Sequence, residues 1–186
     1  TGDGDELNYP DIDDENFNKK IYFKQEFNDT QHISKYKKEG FQLSTAQKFL
    51  KTYISPSTPY NGTLVIHGVG VGKTCTGISI AENFRYLLKK DNSKIHILIP
   101  SSTLKQTWEN EIFNIDKEQN KKNNKNNKNK QTNVQCTGNI YSDVYNSMEN
   151  ITERGKQLRM TQLIREYYDI KGYTQMENTI RKKVIQ

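Results

Sequence analysis

Cysteine is nearly absent: Cys75 and Cys136 are the only two in 186 residues. They show neither a metal-ligand spacing nor the dense pattern of a disulfide framework, so both read as reduced, partly buried thiols. No apolar run approaches the roughly 18 residues of a membrane span, which excludes a helical membrane protein. The first fifteen residues hold seven carboxylates and no base, so the basic start of a signal peptide is lacking. The chain reads as soluble and intracellular. It begins at Thr1 rather than Met and is read as a piece cut or processed from a longer protein.

Apolar residues are also few, at 32%, but they are concentrated in segments, and the length suits one domain with a core of its own. The net charge of +6 says little about partners, because one tract supplies most of it. "KEQNKKNNKNNKNKQ", residues 117–131, holds six Lys and one Glu, or +5. Such a segment buries too little surface to fold and is expected to be a disordered insertion. It lacks the interleaved aromatics of a base-stacking surface, so a solvated linker is preferred to a nucleic-acid grip that works by counterion release.

Residues 1–40 read as an acidic, irregular N-terminal arm packed loosely through "FNKKIYFKQEF". "LSTAQKFLKTYIS" predicts a helix capped by Ser44, with Ala46, Phe49, Leu50 and Tyr53 on one face. "SPSTPYNG" breaks it. "TLVIH" (63–67) and "KIHILIP" (94–100) predict buried parallel strands. "KTCTGISIAENFRYLLKK" (73–90) and "STLKQTWENEIF" predict helices after each of them. The order strand, loop, helix, strand, helix predicts an α/β fold with a parallel sheet. Beyond the Lys/Asn tract, amphipathic helices are expected, with a break near Gly172.

"HGVGVGKTCTG", residues 67–77, packs four glycines into eleven positions. A backbone that wraps a polyphosphate must approach it closely and turn N–H groups inward, in conformations that glycine adopts cheaply. The helix that follows offers its N-terminal N–H groups to the anion. Gly68, Val69, Gly70, Val71, Gly72, Lys73, Thr74 and Cys75 are therefore the candidate nucleotide contacts. Lys73 reaches the β- and γ-phosphates of ATP, and the Thr74 hydroxyl binds Mg²⁺. His67 stands where the common P-loop pattern has its first glycine, and it is read as ending the strand rather than as a catalyst.

The spacing resembles A-x-x-G-x-G-K-T, the first motif of superfamily 2 helicases, with His67 in the alanine place. "PSSTLKQTW" (100–108) is similar to motif Ia of that family. The resemblance implies that Ser101, Ser102 and Thr103 contact the backbone of a DNA or RNA single strand; a helix cap alone is the competing reading. Gln47 in "FQLSTAQKFL", 26 positions before Lys73, resembles an adenine-reading glutamine, while Ser44-x-x-Gln47 is equally a capping box. More widely, residues 7–113, and more weakly "REYYDIKGY", resemble helicase-like ATPases of large DNA viruses related to the small subunit of the poxvirus early transcription factor. That resemblance implies a P-loop NTPase in which residues 41–186 form the front of a first RecA-like domain. It further implies an ATP-dependent translocase of viral transcription, working beside other transcription subunits in the virion or host cytoplasm, with no membrane partner.

A working ATPase also needs an Asp-Glu pair at the end of a later buried strand. None is found after Lys73: "NIDKE" (114–118) carries Asp116 and Glu118 without a strand before them. The chain alone is therefore expected to bind nucleotide weakly, to hydrolyse it negligibly and to expose an apolar sheet edge. Two rivals stay open. One is a different P-loop class, such as a small-molecule kinase; the other is a subunit that holds ATP without turning it over.

Overall fold

The fold was obtained as a computed structural model, which describes residues 9–29, 41–68, 70–123 and 135–184. Val69, most of the Lys/Asn tract and part of the N-terminal arm lie outside the described residues. The order of elements is α1 (Phe17–Phe23), α2 (Gln25–Asn28), α3 (Thr45–Tyr53), α4 (Lys73–Ala81), a 3-10 turn (Glu82–Phe84) and α5 (Arg85–Asp91). Then come β1 (Ile95–Ile99), a second 3-10 turn (Ser102–Leu104), α6 (Lys105–Ile112), α7 (Ile115–Asn123) and α8 (Ile140–Ser147). The last elements are α9 (Glu153–Tyr167), β2 (Tyr168–Gly172) and α10 (Tyr173–Val184).

The sheet is parallel, as expected, but its strands are not the two expected. β1 pairs with β2 in the register Ile95↔Tyr168 to Ile99↔Gly172. Residues 63–67 form no strand, and Leu64 and Ile66 are each 84% exposed. A strand exists only where a neighbour completes its ladder, and a short apolar run states a preference without supplying that neighbour. "YDIKG" has the better claim. Its alternation puts Tyr168, Ile170 and Gly172 inward, beside Ile97 and Ile99 of β1, which corrects the helices expected through this stretch.

That inward face belongs to the main core. Ile78 of α4, Ile112 and Phe113 at the end of α6, Tyr141 and Tyr145 of α8, and Met160 and Ile164 of α9 pack with Ile97, Ile99 and Ile170. The outward face is open, with Leu98 47% exposed, which corrects the expectation of a strand buried on both sides. Here Asp169 receives Lys171 Nζ at 2.8 Å and faces His96 Nδ1 at 3.1 Å. Burial pushes the Asp169 carboxyl up, but the hydrogen bond and charge of Lys171, followed by His96, outweigh it and hold the group below its ordinary value. A depressed carboxyl stabilises the fold above its unfolded pKa, and that contribution is lost as pH falls through the folded value. Acidification from pH 5 toward 2 should therefore weaken the β1–β2 pairing. The check is a Cγ-detected NMR titration of Asp169 beside the unfolding midpoint; a midpoint on the ordinary aspartate value would contradict it.

A polar cluster ties the helices after α4 to the sheet. Tyr141 and Tyr168 both donate to Glu82 Oε1, and Arg85 NH1 lies 3.6 Å from Glu82 Oε2. The Arg85 guanidinium also sits over the rings of Tyr141 and Tyr167, at 4.8 and 4.2 Å. Burial, and then the nearby Glu82 charge, drive both phenols above the ordinary tyrosine value, so they stay neutral donors.

Residues 9–29 of the N-terminal arm are more regular than the composition of the arm suggests. Ile21 of α1 and Phe27 of α2 are buried with Tyr60 in a second, aromatic cluster, packed by Phe17, Phe49 and Tyr53. Tyr53 and Tyr60 stack at 4.4 Å, and Tyr60 OH donates to the Pro10 carbonyl at 2.8 Å. The first part of the tract expected to be disordered, residues 117–123, belongs to α7, which runs to Asn123. Glu118, on its inner side, is only 4% exposed and accepts from Ser142 Oγ and Asn146 Nδ2, each at 3.1 Å. Among the described residues no helix is long and apolar enough to cross a membrane.

Candidate nucleotide site

The glycine loop ends as the start of a helix. Gly72 caps α4 in the left-handed region, with φ 82°, and Gly70 has φ 78°, conformations that cost an L side chain about 1–2 kcal/mol. A Cβ built at Gly68 or Gly70 would meet nothing within 4 Å, so the loop stays open on that side. The first N–H groups of α4, at Lys73, Thr74 and Cys75, have no partner within the helix, which makes this end suited to an anion. Lys73 is exposed, and its Nζ donates to the carbonyls of His67 at 3.2 Å and Gly68 at 3.3 Å. These bonds fold the ammonium back over the loop. Thr74 follows, half-buried, on the first turn of α4, and Val71 is 55% exposed. This set suits a polyphosphate and its counter-cation: glycine backbone that lets the anion approach, a free helix end, one exposed ammonium and one hydroxyl.

Gln47 serves the loop from behind. It is 6% exposed; its Oε1 accepts from Ser44 N at 2.9 Å and its Nε2 donates to the Gly72 carbonyl at 3.2 Å. With Ser44 Oγ accepting from Gln47 N at 3.2 Å, the capping box is complete. One carboxamide thus fixes both the start of α3 and the pivot of the P-loop. The Gly72 carbonyl also accepts from Thr76 N and Thr76 Oγ1, at 2.9 and 3.1 Å. A Cβ at position 72 would lie 2.8 Å from Gln47 Nε2. Gly72→Ala should therefore cost about 2–3 kcal/mol, from left-handed strain plus the displaced hydrogen bond. Gln47→Ala should cost only about 1 kcal/mol, since Thr76 still satisfies the carbonyl. Thermal unfolding of the two variants checks the order, and a Gln47 variant less stable than the Gly72 one would contradict it.

Cys75 is not a free thiol. It is joined to Cys136 across 61 positions, with Cα atoms 5.2 Å apart, which corrects the reduced pair expected from sequence. Nothing in the spacing announces it, because the start of α4 meets the turn at 135–138 only in the folded chain. That turn is held in place locally: Gln135 Oε1 accepts from Asn114 N at 2.9 Å and Thr137 Oγ1 donates to the Ile112 carbonyl at 2.9 Å. The bridge therefore ties the P-loop helix to the corner between α6 and α7.

The second candidate surface lies at the carboxyl ends of both strands, where open parallel sheets commonly place ligands. Ser101, Ser102 and Thr103 are exposed there. Ser101 Oγ accepts from Thr103 N at 3.3 Å and lies 2.9 Å from Thr103 Oγ1, so Ser101 caps the short turn before α6. Gly172, at the end of β2, abuts this turn: its Cβ position would lie 3.6 Å from Ser102 N. Gly172 and the exposed Tyr173 thus border the serines, a contribution the sequence reading missed together with β2; the alternation in "YDIKG" was the available signal. Asp116 is exposed on the first turn of α7, while Glu118 is engaged with α8. Neither stands at the end of a strand.

Comparison with known proteins agrees with this architecture. The chain is 28% identical over 95% of its length to a protein of Acanthamoeba polyphaga mimivirus named "Putative ATP-dependent RNA helicase". A second mimivirus protein of that name is 40% identical over 52% of the chain. "Putative helicase 087L" of Invertebrate iridescent virus 3 is 34% identical over 39% of it. The chain spans 16% and 17% of the length of the two mimivirus proteins and 8% of the iridescent virus one. No solved structure matches. The family model described as "Type III restriction enzyme, res subunit" matches residues 35–169, which take in the glycine loop, β1, the serine turn and the first two residues of β2. With its parallel strands and P-loop helix, the fold is a partial RecA-like α/β unit of the P-loop NTPase class, and the chain belongs to the res-subunit family of helicase-type ATPases.

Proposed function

We propose that this chain is the ATP-binding segment of a nucleic-acid translocase or helicase of viral transcription. The observation that carries the reading is the start of α4, where two left-handed glycines, a free helix terminus and Lys73 converge. When nucleotide arrives, Lys73 leaves the carbonyls of His67 and Gly68 for the β- and γ-phosphates, while the amides from Gly70 to Cys75 surround them. Thr74 is the residue suited to hold Mg²⁺, which shields the phosphate charge when bound. Gln47 keeps Gly72 in its left-handed state and is the nearest assigned group able to read adenine, provided its carboxamide leaves that carbonyl. Ser101, Ser102 and Thr103 contact the sugar-phosphate backbone of a single strand through hydroxyls and turn amides, with Gly172 allowing close approach. Other transcription subunits are the partners this reading implies.

Turnover needs an Asp-Glu pair at the end of a strand, and neither described strand ends in one, so the chain alone is proposed to bind ATP without releasing phosphate. The test is titration with a fluorescent ATP analogue plus Mg²⁺, following phosphate release with and without single-stranded DNA or RNA. Saturable binding with no release is expected. Strand-stimulated release at the 1 s⁻¹ scale of ordinary enzymes would overturn the inactive-segment reading and turn attention to Asp116. The second reading, a subunit that uses ATP only as a structural ligand, predicts the same binding but no effect of nucleotide on strand affinity.

A further inference from the structure

The geometry points to the Cys75–Cys136 pair as a redox control on nucleotide binding, in which the disulfide holds the start of α4 ready for phosphate and reduction weakens that grip. The inference rests on the nucleotide reading above. An ordinary P-loop is steadied on one side by a strand, but here residues 63–67 form no strand and expose Leu64 and Ile66. The loop is steadied from the helix side, by the Gln47 and Thr76 bonds to Gly72, by Lys73 on the carbonyls of His67 and Gly68, and by the bridge at Cys75. Cys75 supplies one of the terminal N–H groups that meet the anion, and it directly follows Thr74. Its bridge partner sits in a turn that Gln135 and Thr137 fasten to the end of α6. An immobilised binding group loses less freedom when its ligand arrives, so cutting the bridge returns that entropic cost to binding.

The exchange is chemically accessible. Cys75 is 5% exposed, but Cys136 is only half-buried. The thiolate of a small thiol such as glutathione attacks Cys136 Sγ, and the S–S bond breaks as Cys75 leaves and takes up a proton. A second thiolate then attacks the small-molecule sulfur of this mixed disulfide, forming the small-molecule disulfide, and Cys136 leaves and takes up a proton. Two thiols become one small-molecule disulfide and two electrons pass to the protein; the reverse reaction restores the bridge.

The test uses the whole chain, oxidised with glutathione disulfide or reduced with glutathione, titrated with the fluorescent ATP analogue and Mg²⁺ beside Cys136→Ala and Lys73→Ala. Reduced wild type and Cys136→Ala should bind alike, at least about fivefold more weakly than the oxidised chain, the low end of ordinary coupling between sites. Cys136→Ala should ignore the reductant. Equal affinity of oxidised and reduced wild type overturns the redox inference and leaves the nucleotide reading standing. Absence of binding in both forms, or binding that Lys73→Ala does not change, overturns both. Should reduction unfold the chain, the titration is repeated in sucrose, which favours the compact state without touching sulfur, once circular dichroism of the two forms matches. Equal affinity there is equally fatal.

Discussion

Lys73→Ala is expected to weaken binding of Mg-nucleotide by about 100-fold or more while leaving the fold intact. In the ligand-free loop the ammonium is exposed and, among the described residues, bonded to the carbonyls of His67 and Gly68, at 3.2 and 3.3 Å. Leaving those partners is cheap, because water and neutral carbonyls are comparable hosts for an exposed ammonium. Phosphate contacts are different. Each charge-assisted hydrogen bond is worth about 1.5–3 kcal/mol, and every 1.4 kcal/mol is tenfold in affinity. Losing about 3 kcal/mol therefore means more than two decades in Kd. The fold should not notice, since exposed substitutions away from special features stay within about 0.5 kcal/mol. Isothermal titration beside a thermal melt is the check. A variant that melts like wild type and still binds nucleotide like wild type would falsify the phosphate role of Lys73.

Removal of the Cys75–Cys136 bridge should lower stability by about 4 kcal/mol. The bridge closes a loop spanning 61 positions, and in the chain-entropy treatment the gain grows with the logarithm of loop length, from about 3 kcal/mol at 15 residues to about 4.7 at 100. For a chain of this size, each kcal/mol moves the melting temperature by about 2–4 °C. A drop of about 8–16 °C is expected for Cys136→Ser or for reduced wild type. Unfolding should be followed with and without reductant, and free thiols counted under denaturing conditions. Two free thiols in unreduced protein, with no shift on adding reductant, would contradict the bridge. The loop it closes contains β1 and α6, so its loss should loosen the P-loop helix and the serine turn together.

Legibility in the sequence followed the range of the forces involved. The capping box at Ser44 and Gln47 is a three-residue arrangement, and it stands as read. The glycine loop, α4, β1 and α6 were also legible, because helix periodicity, caps and a β-branched run are local. The second strand was not. "TLVIH" is the more apolar run, yet "YDIKG" pairs with β1, because pairing depends on which segment the intervening helices deliver alongside. Composition gave a similarly incomplete account of the acidic arm. Its apolar stretch "FNKKIYFKQEF" was legible, but not how firmly Ile21 and Phe27 are buried, which depends on Phe49, Tyr53 and Tyr60 arriving from later in the chain.

The sequence by itself determined the chemistry of the P-loop. The glycine spacing, Lys73 and Thr74 are contiguous, and the helix that follows must present its N-terminus to the same place. Tertiary structure alone decided the partners. It joined Cys75 to Cys136, set Gln47 against Gly72, buried Glu118 under α8 and brought Gly172 beside Ser102. Those pairs lie between 24 and 70 positions apart. At such separations the cost of closing the chain is met by the burial of a whole core, not by any preference that neighbouring residues express.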